Sequence, residues 1–187
     1  DQEIAALSLQ LTSSDISSYQ LCGASYFSLL SEKNLESAIL YLKTAALYLA
    51  SPPQDNPNIE NDFHGMALVV SHIIGASPKY RYLISLVSIN LKKFIKKALQ
   101  VKDILSSRHY SVYLVLSVLP SEFVDKEKIN ESLKSFIKYL EDEQSNRNMP
   151  LLKTITWYIL SFLASHPNNK QCEYILNLVS RTHEIQS

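Results

Sequence analysis

Glycine, cysteine and long apolar runs are all scarce in this chain of 187 residues. Only three residues are glycine and strong helix formers abound, so the composition predicts an all-α protein. The longest apolar stretch, residues 66–76, is interrupted by Ser71 and His72. It is too short to cross a bilayer, which requires ~20 residues. The start of the chain shows no signal-peptide pattern.

A strong charge of either sign is also missing. Eighteen basic side chains balance eighteen acidic ones, which argues against an overall attraction to nucleic acid or anionic membrane but allows a local patch. The two cysteines, Cys22 and Cys172, lie in predicted helices near opposite ends of the chain, which disfavours a disulfide between them. Lone thiols in apolar helices are typical of a reducing compartment, so we expect a cytoplasmic protein.

What the sequence does contain is a series of helix pairs that recurs about every 45 residues. The predicted second helices begin at Asn34, Pro78, Asp125 and Asn169, in steps of 44, 47 and 44 residues. The predicted first helices begin at Ser14, Asp62, Ser107 and Asn148, in steps of 48, 45 and 41 residues. The four pairs would occupy residues 14–50, 62–101, 107–141 and 148–184. A bundle of unrelated helices is the alternative, and a common period argues against it.

Residues 1–11 are apolar at Ile4, Leu7 and Leu11 and precede the first full pair. One period before Asn34 would lie upstream of Asp1, so these residues are interpreted as the end of a preceding second helix. We therefore expect residues 1–187 to form a single repeat array, itself a fragment of a longer one.

The two sets of helices differ in their apolar pattern. The second helices are amphipathic, and in the second pair we expect Leu83, Leu86 and Val87 to point inward. The first helices are apolar nearly all round, which predicts burial on more than one side. One interpretation is that neighbouring repeats cover both flanks. The other is that an exposed side of the first helices, with Tyr110, Tyr113 and Tyr158, docks another chain. The exposure of these tyrosines distinguishes the two interpretations.

The most charged motif contains four lysines near the end of one predicted helix: Lys92, Lys93, Lys96 and Lys97. Lysines near a helix C-terminus are stabilised by the helix dipole, so a solvated face is the simplest interpretation. The functional interpretation is a binding site for an acidic or extended segment of another protein. Sparse arginine and the lack of an interleaved aromatic platform argue against a nucleic-acid site.

No residues have the spacing of a catalytic or metal site, so we expect neither enzymatic activity nor a cofactor. His64 and His72 are eight residues apart on one helix, about 12 Å of rise, which is too far for one metal ion. Helix-end roles would explain His109 and His166. Gly23 and Gly65 occupy similar places in the first helices, where we expect close helix approach.

The paired helices resemble the HEAT and armadillo repeat superfamily across the whole chain. This resemblance implies a right-handed α-solenoid of about four HEAT-like pairs plus a partial N-terminal helix. The stretch 64–77, with its Gly-Ala-rich apolar helix, and the segment 107–111 after the following long helix resemble the giant HEAT-repeat accessory proteins of clathrin adaptors. That narrower likeness implies an elongated cytoplasmic scaffold that helps to place adaptor complexes on Golgi and endosomal membranes.

Two functional hypotheses follow. The first is a non-catalytic scaffold that binds other proteins through the second helices, with vesicle trafficking as its pathway and partners as its route to a membrane. The alternative is a nucleic-acid-associated or nuclear-transport-type module that uses the four lysines and Lys102. Loss of binding with added salt would favour the alternative.

Overall fold

A computed structural model describes residues 2–142 and 148–166 of the chain, and every regular element in these residues is helical. The predicted second helix from Asn169, together with Cys172 and His183, lies outside the described residues. The eight α-helices of the described part are α1 (Gln2–Thr12), α2 (Ser17–Lys33), α3 (Leu35–Ala50), α4 (Ile59–Gly75), α5 (Ile84–Ala98), α6 (Ser107–Leu116), α7 (Lys126–Glu141) and α8 (Met149–Ser165). Short 3-10 helices span Pro78–Leu83 and Ser121–Phe123.

Three predicted helix starts are confirmed by their capping hydrogen bonds. Asn34, Asp125 and Asn148 each accept a hydrogen bond from a backbone N–H three residues later, at 3.1, 3.2 and 3.2 Å. Each cap satisfies one of the amide groups that the first helical turn leaves free.

The start of α4 differs from the prediction, because the helix begins at Ile59 rather than at Asp62. The Asp62 carboxylate does not cap the helix. It accepts hydrogen bonds from the side chains of Asn56 (2.6 Å) and Asn58 (3.1 Å), and Asn56 also donates to Tyr48 at 2.9 Å. These bonds hold the polar connection between α3 and α4 against both helices.

The core lies between two sets of helices. Among the first helices, α2 contacts α4, α4 contacts α6, and α6 contacts α8; among the second helices, α3 contacts α5. The apolar first helices are buried on several sides, as one of the two interpretations predicted. Val69, Val70, Ile73, Val112 and Val115 are all fully buried. The single apolar stripe of α7 also points inward, with Ile129, Leu133, Phe136 and Leu140 buried.

Helix α1 packs against α2 and α4 rather than along α3, and the glycines explain how it approaches so closely. A Cβ atom on Gly23 would overlap the carbonyl oxygen of Ser8, and one on Gly65 would overlap that of Thr12. The predicted close approach at these two glycines is confirmed, and the partner is the backbone of α1. The Thr12 carbonyl also accepts a hydrogen bond from Gln20 at 2.9 Å.

Hydrogen bonds between adjacent helix pairs join residues at a nearly constant separation, whereas the His64–Tyr158 contact joins α4 to α8, two pairs apart, across 94 residues. The bonds Ser28–His72, Glu32–Lys79, Ser51–Lys93, Ala50–Lys97, Glu60–Ser106 and Leu116–His166 span 44, 47, 42, 47, 46 and 50 residues. Successive pairs are therefore joined at similar positions along their helices.

Candidate protein-interaction surface

Helices α3 and α5 lie side by side and run in the same direction. Near their starts, the Lys79 ammonium group donates to Glu32 at 2.9 Å, just before α3 begins. Near their ends, the Lys97 ammonium group donates to the carbonyl oxygen of Ala50 at 3.2 Å. Residues of α3 and α5 that are about 47 positions apart in the sequence therefore lie side by side. Leu40 lies close to the level of Leu86, and Leu47 lies close to the level of Lys93.

The four lysines predicted as a partner site have different surroundings. Lys97 satisfies a free carbonyl at the end of α3, and Lys93 donates to the Ser51 hydroxyl at 2.9 Å. The Lys92 ammonium group lies 5.5 Å from the centre of the Phe123 ring, within the range of a cation–π contact. In the described part of the chain, none of these lysines, Lys96 included, forms an ion pair with a carboxylate. Part of the lysine cluster is thus structural, and its charge is not neutralised by ion pairing.

The exposed side of α5 is apolar before it becomes basic. Tyr82, in the 3-10 helix that leads into α5, is followed on the same side by Leu86 and Ile89, and their exposed fractions are 58, 47 and 84%. The prediction that Leu86 points inward is wrong, because Val87 takes the inward position beside it. Helix α3 adds two exposed leucines at Leu40 and Leu47.

We call these five apolar residues, Tyr82, Leu86, Ile89, Leu40 and Leu47, the outer face. The sequence analysis did not identify the outer face, although the apolar periodicity of α3 indicated part of it. The apolar stripe of α3 that points inward includes Leu42 and Leu49, which leaves Leu40 and Leu47 on another side of the helix.

The tyrosines proposed as docking residues lie inside the protein. Tyr110, Tyr113 and Tyr158 have exposed fractions of only 7, 2 and 6%. The interpretation that they form an exposed docking surface is therefore wrong, since neighbouring helices cover them. Instead, their side chains form contacts between helices.

Tyr158 and Tyr110 surround a buried histidine. The Tyr158 hydroxyl lies 2.6 Å from Nε2 of His64, which links α8 to α4, and the Tyr110 ring centre lies 5.6 Å from the imidazole centre. Burial lowers the pKa of His64 to about 4. Burial, and then the negative charge of Glu60, raise the pKa of Tyr110 to about 12. All three side chains are therefore neutral near pH 7, as burial between helices requires.

Tyr113 belongs to a second buried chain of hydrogen bonds. Its hydroxyl lies 2.5 Å from the Ser132 hydroxyl on α7, which lies 2.6 Å from Nε2 of His109. The other ring nitrogen, Nδ1, lies 2.6 Å from the carbonyl oxygen of Val101 and must donate to it. Burial lowers the pKa of His109, although the Val101 carbonyl opposes the shift. A serine beside a histidine resembles a nucleophile and its base, but here both are buried, and a carbonyl orients the ring. We interpret the chain as a link between α6 and α7.

Glu60 caps the start of α6 from the preceding pair. Its carboxylate accepts hydrogen bonds from the Ser106 hydroxyl at 2.9 Å and from the Ser107 backbone N–H at 2.6 Å, and it lies 3.4 Å from Nε of Arg108. Burial alone would raise the pKa of Glu60, but Ser107, Ser106 and Arg108 outweigh it and lower the pKa. No side chain from α6 itself caps this helix.

Residues 2–142 and 148–166 offer neither a metal site nor a membrane-spanning helix. These residues contain no group of three His, Cys, Asp or Glu side chains that could hold a metal ion. None of their helices is both long enough and apolar enough to cross a membrane.

Comparison of the chain with protein-family models, with curated proteins and with solved structures finds no match. The geometry of the surface therefore carries the functional argument.

Proposed function

We propose that this protein is a non-catalytic scaffold that binds other proteins through the outer face. The observation that carries the proposal is the exposure of five large apolar side chains on two neighbouring helices, while the same helices bury a full stripe on their inner side. Several exposed large apolar side chains on adjacent helices are typical of protein interaction sites.

The proposed architecture is a right-handed α-solenoid of HEAT-like pairs. Contacts between successive first helices, and hydrogen bonds between adjacent pairs with separations of 42 to 50 residues, support it. In such an array each pair contacts mainly its neighbours, so the second helices present an extended surface to partners.

The pathway rests on the sequence resemblance alone. The likeness of residues 64–77 and 107–111 to the accessory proteins of clathrin adaptors predicts a cytoplasmic role in vesicle trafficking between Golgi and endosomes. Under that hypothesis, partner proteins would recruit the scaffold to the membrane surface.

A basic stretch favours nucleic acid as a second candidate partner. No Asp or Glu occurs between Asp62 and Asp103, whereas seven Lys or Arg residues do. A nucleic-acid site would depend on Lys96 and Lys102 and would weaken steeply with salt. The apolar outer face beside these lysines has no role in phosphate binding, which favours the protein-binding proposal.

Site-specific photo-crosslinking tests the proposal. A photoreactive benzoyl-phenylalanine replaces Ile89 on the outer face or, as a matched control, the exposed Leu29 on α2. In a cell extract we expect a discrete protein adduct at position 89 that is absent at position 29. Adducts with nucleic acid at 89, or identical protein adducts at both positions, would contradict the proposal.

A further inference from the structure

We propose that the outer face binds an amphipathic helix of a partner protein whose apolar half leads into an acidic half. This inference rests on the proposed protein-binding function and specifies the partner's chemistry. Helices that lay an apolar face onto an apolar surface are a recurring mode of recognition.

Charge is the first argument for an acidic partner. Within the described residues, Lys79 is the only one of the seven basic residues between Asp62 and Asp103 that pairs with a carboxylate. Lys93 and Lys96 continue the exposed side of α5 directly after Ile89. Because the ammonium groups face neutral atoms or solvent, carboxylates of a partner would meet an unneutralised positive field.

The order of residues along α5 also specifies the partner. From Tyr82, in the 3-10 helix before α5, to Ile89 the exposed side is apolar, and seven helical residues rise about 10 Å, or two turns. Over the next two turns the same side carries Lys93 and Lys96. A partner helix that lies along α5 would therefore need an apolar face over two turns and carboxylates over the next two.

The change from apolar to basic along α5 favours an amphipathic helix over other anionic partners. A phosphate backbone would use the lysines but would leave Leu86 and Ile89 in water. Leu40, at the level of Leu86, widens the apolar half into a two-helix surface, whereas Leu47 lies at the level of Lys93 in the basic half.

A designed peptide provides the probe. It has about 20 residues, with leucines at helical spacing in one half and glutamates on the same side in the other half. Fluorescence anisotropy measures its binding to the full chain. We expect Ile89→Gln to weaken binding about tenfold, and Lys96→Glu about fivefold at low salt. Leu29→Gln on α2 and Lys134→Glu on α7, both exposed positions, should stay within about twofold.

The matched peptide with glutamine in place of glutamate tests the charge argument separately. We expect it to bind about fivefold more weakly, and to respond less to salt. Equal binding of the two peptides, or no saturable binding of the acidic peptide at about 0.5 mM, would overturn the inference. So would Ile89-dependent binding to phosphatidylserine vesicles or to single-stranded RNA in place of the peptide. If the crosslink at position 89 recovers a protein while the peptide fails, the inference is wrong and the proposed function stands.

Discussion

Lowering the pH from 7 to 5 should destabilise this protein through His64. The unfolded chain binds a proton at the ordinary histidine pKa of 6.5, whereas the folded chain binds it only near pH 4, because burial disfavours the charged ring. Between these two values the unfolded state holds more protons, so the free energy of unfolding falls as the pH falls.

The magnitude follows from the two pKa values. Linkage gives a loss of about 2 kcal/mol between pH 7 and pH 5 from this single residue. The limit, reached below the folded pKa, is about 3 kcal/mol. These figures need little correction for solvent screening, because His64 is 8% exposed.

Urea unfolding of the wild-type protein and two variants at pH 7 and pH 5 measures this effect. His64→Gln removes the titrating ring but keeps a polar partner for Tyr158, and we expect the drop between the two pH values to shrink by about 2 kcal/mol. Tyr158→Phe removes the 2.6 Å hydrogen bond but leaves His64 buried, so it should lower stability by about 1–3 kcal/mol and keep the pH-dependent drop. An unchanged drop in His64→Gln would refute the reasoning, since other groups would then cause it.

Four further substitutions test the packing by the same measurement at pH 7. Gly65→Ala should cost about 2 kcal/mol, despite the better helix propensity of alanine, because its Cβ meets the backbone of Thr12. Ser132→Ala leaves two buried groups without their partner and should cost about 2 kcal/mol. Glu60→Gln weakens the cap of α6 and should cost about 1 kcal/mol, since the carboxylate is half exposed. Ile89→Gln should change stability by less than about 0.5 kcal/mol, because its side chain is exposed.

Specific outcomes would contradict these four expectations. Gly75→Ala is the control for Gly65→Ala, because its Cβ would meet a side-chain methyl group of Val118 at 3.0 Å and no backbone atom. Equal costs at the two glycines would show that the backbone of α1 does not press on α4. A loss in Ile89→Gln as large as that in Ser132→Ala would show that Ile89 is a core residue.

The sequence predicted best what depends on neighbouring residues. Asn34, Asp125 and Asn148 each bond an amide three residues away, so local sequence marks their helix starts. It was wrong at Ser14, because α2 begins at Ser17 with Ile16 at its N-cap. It was also wrong at Asp62, which looked like a cap but bonds two asparagine side chains of the preceding connection.

What depends on distant residues could not be predicted. The Tyr158 hydroxyl meets His64, which is 94 residues away, and nothing near Tyr158 in the sequence indicates that partner. Leu86 has an apolar side chain and a plausible inward register, yet α5 turns Val87 inward and leaves Leu86 exposed. Which side of an amphipathic helix stays uncovered is decided by where neighbouring helices pack, and hydrophobic periodicity alone does not record that.

The affinity of the protein partner identified at position 89 tests the central claim most directly. Isothermal titration would compare the wild-type chain with the double variant Leu86→Gln, Ile89→Gln and with Leu29→Gln. We expect the double variant to bind at least about tenfold more weakly, while the Leu29 variant binds like wild type. Equal affinity of all three proteins would show that partners bind elsewhere and would contradict the assignment of the outer face.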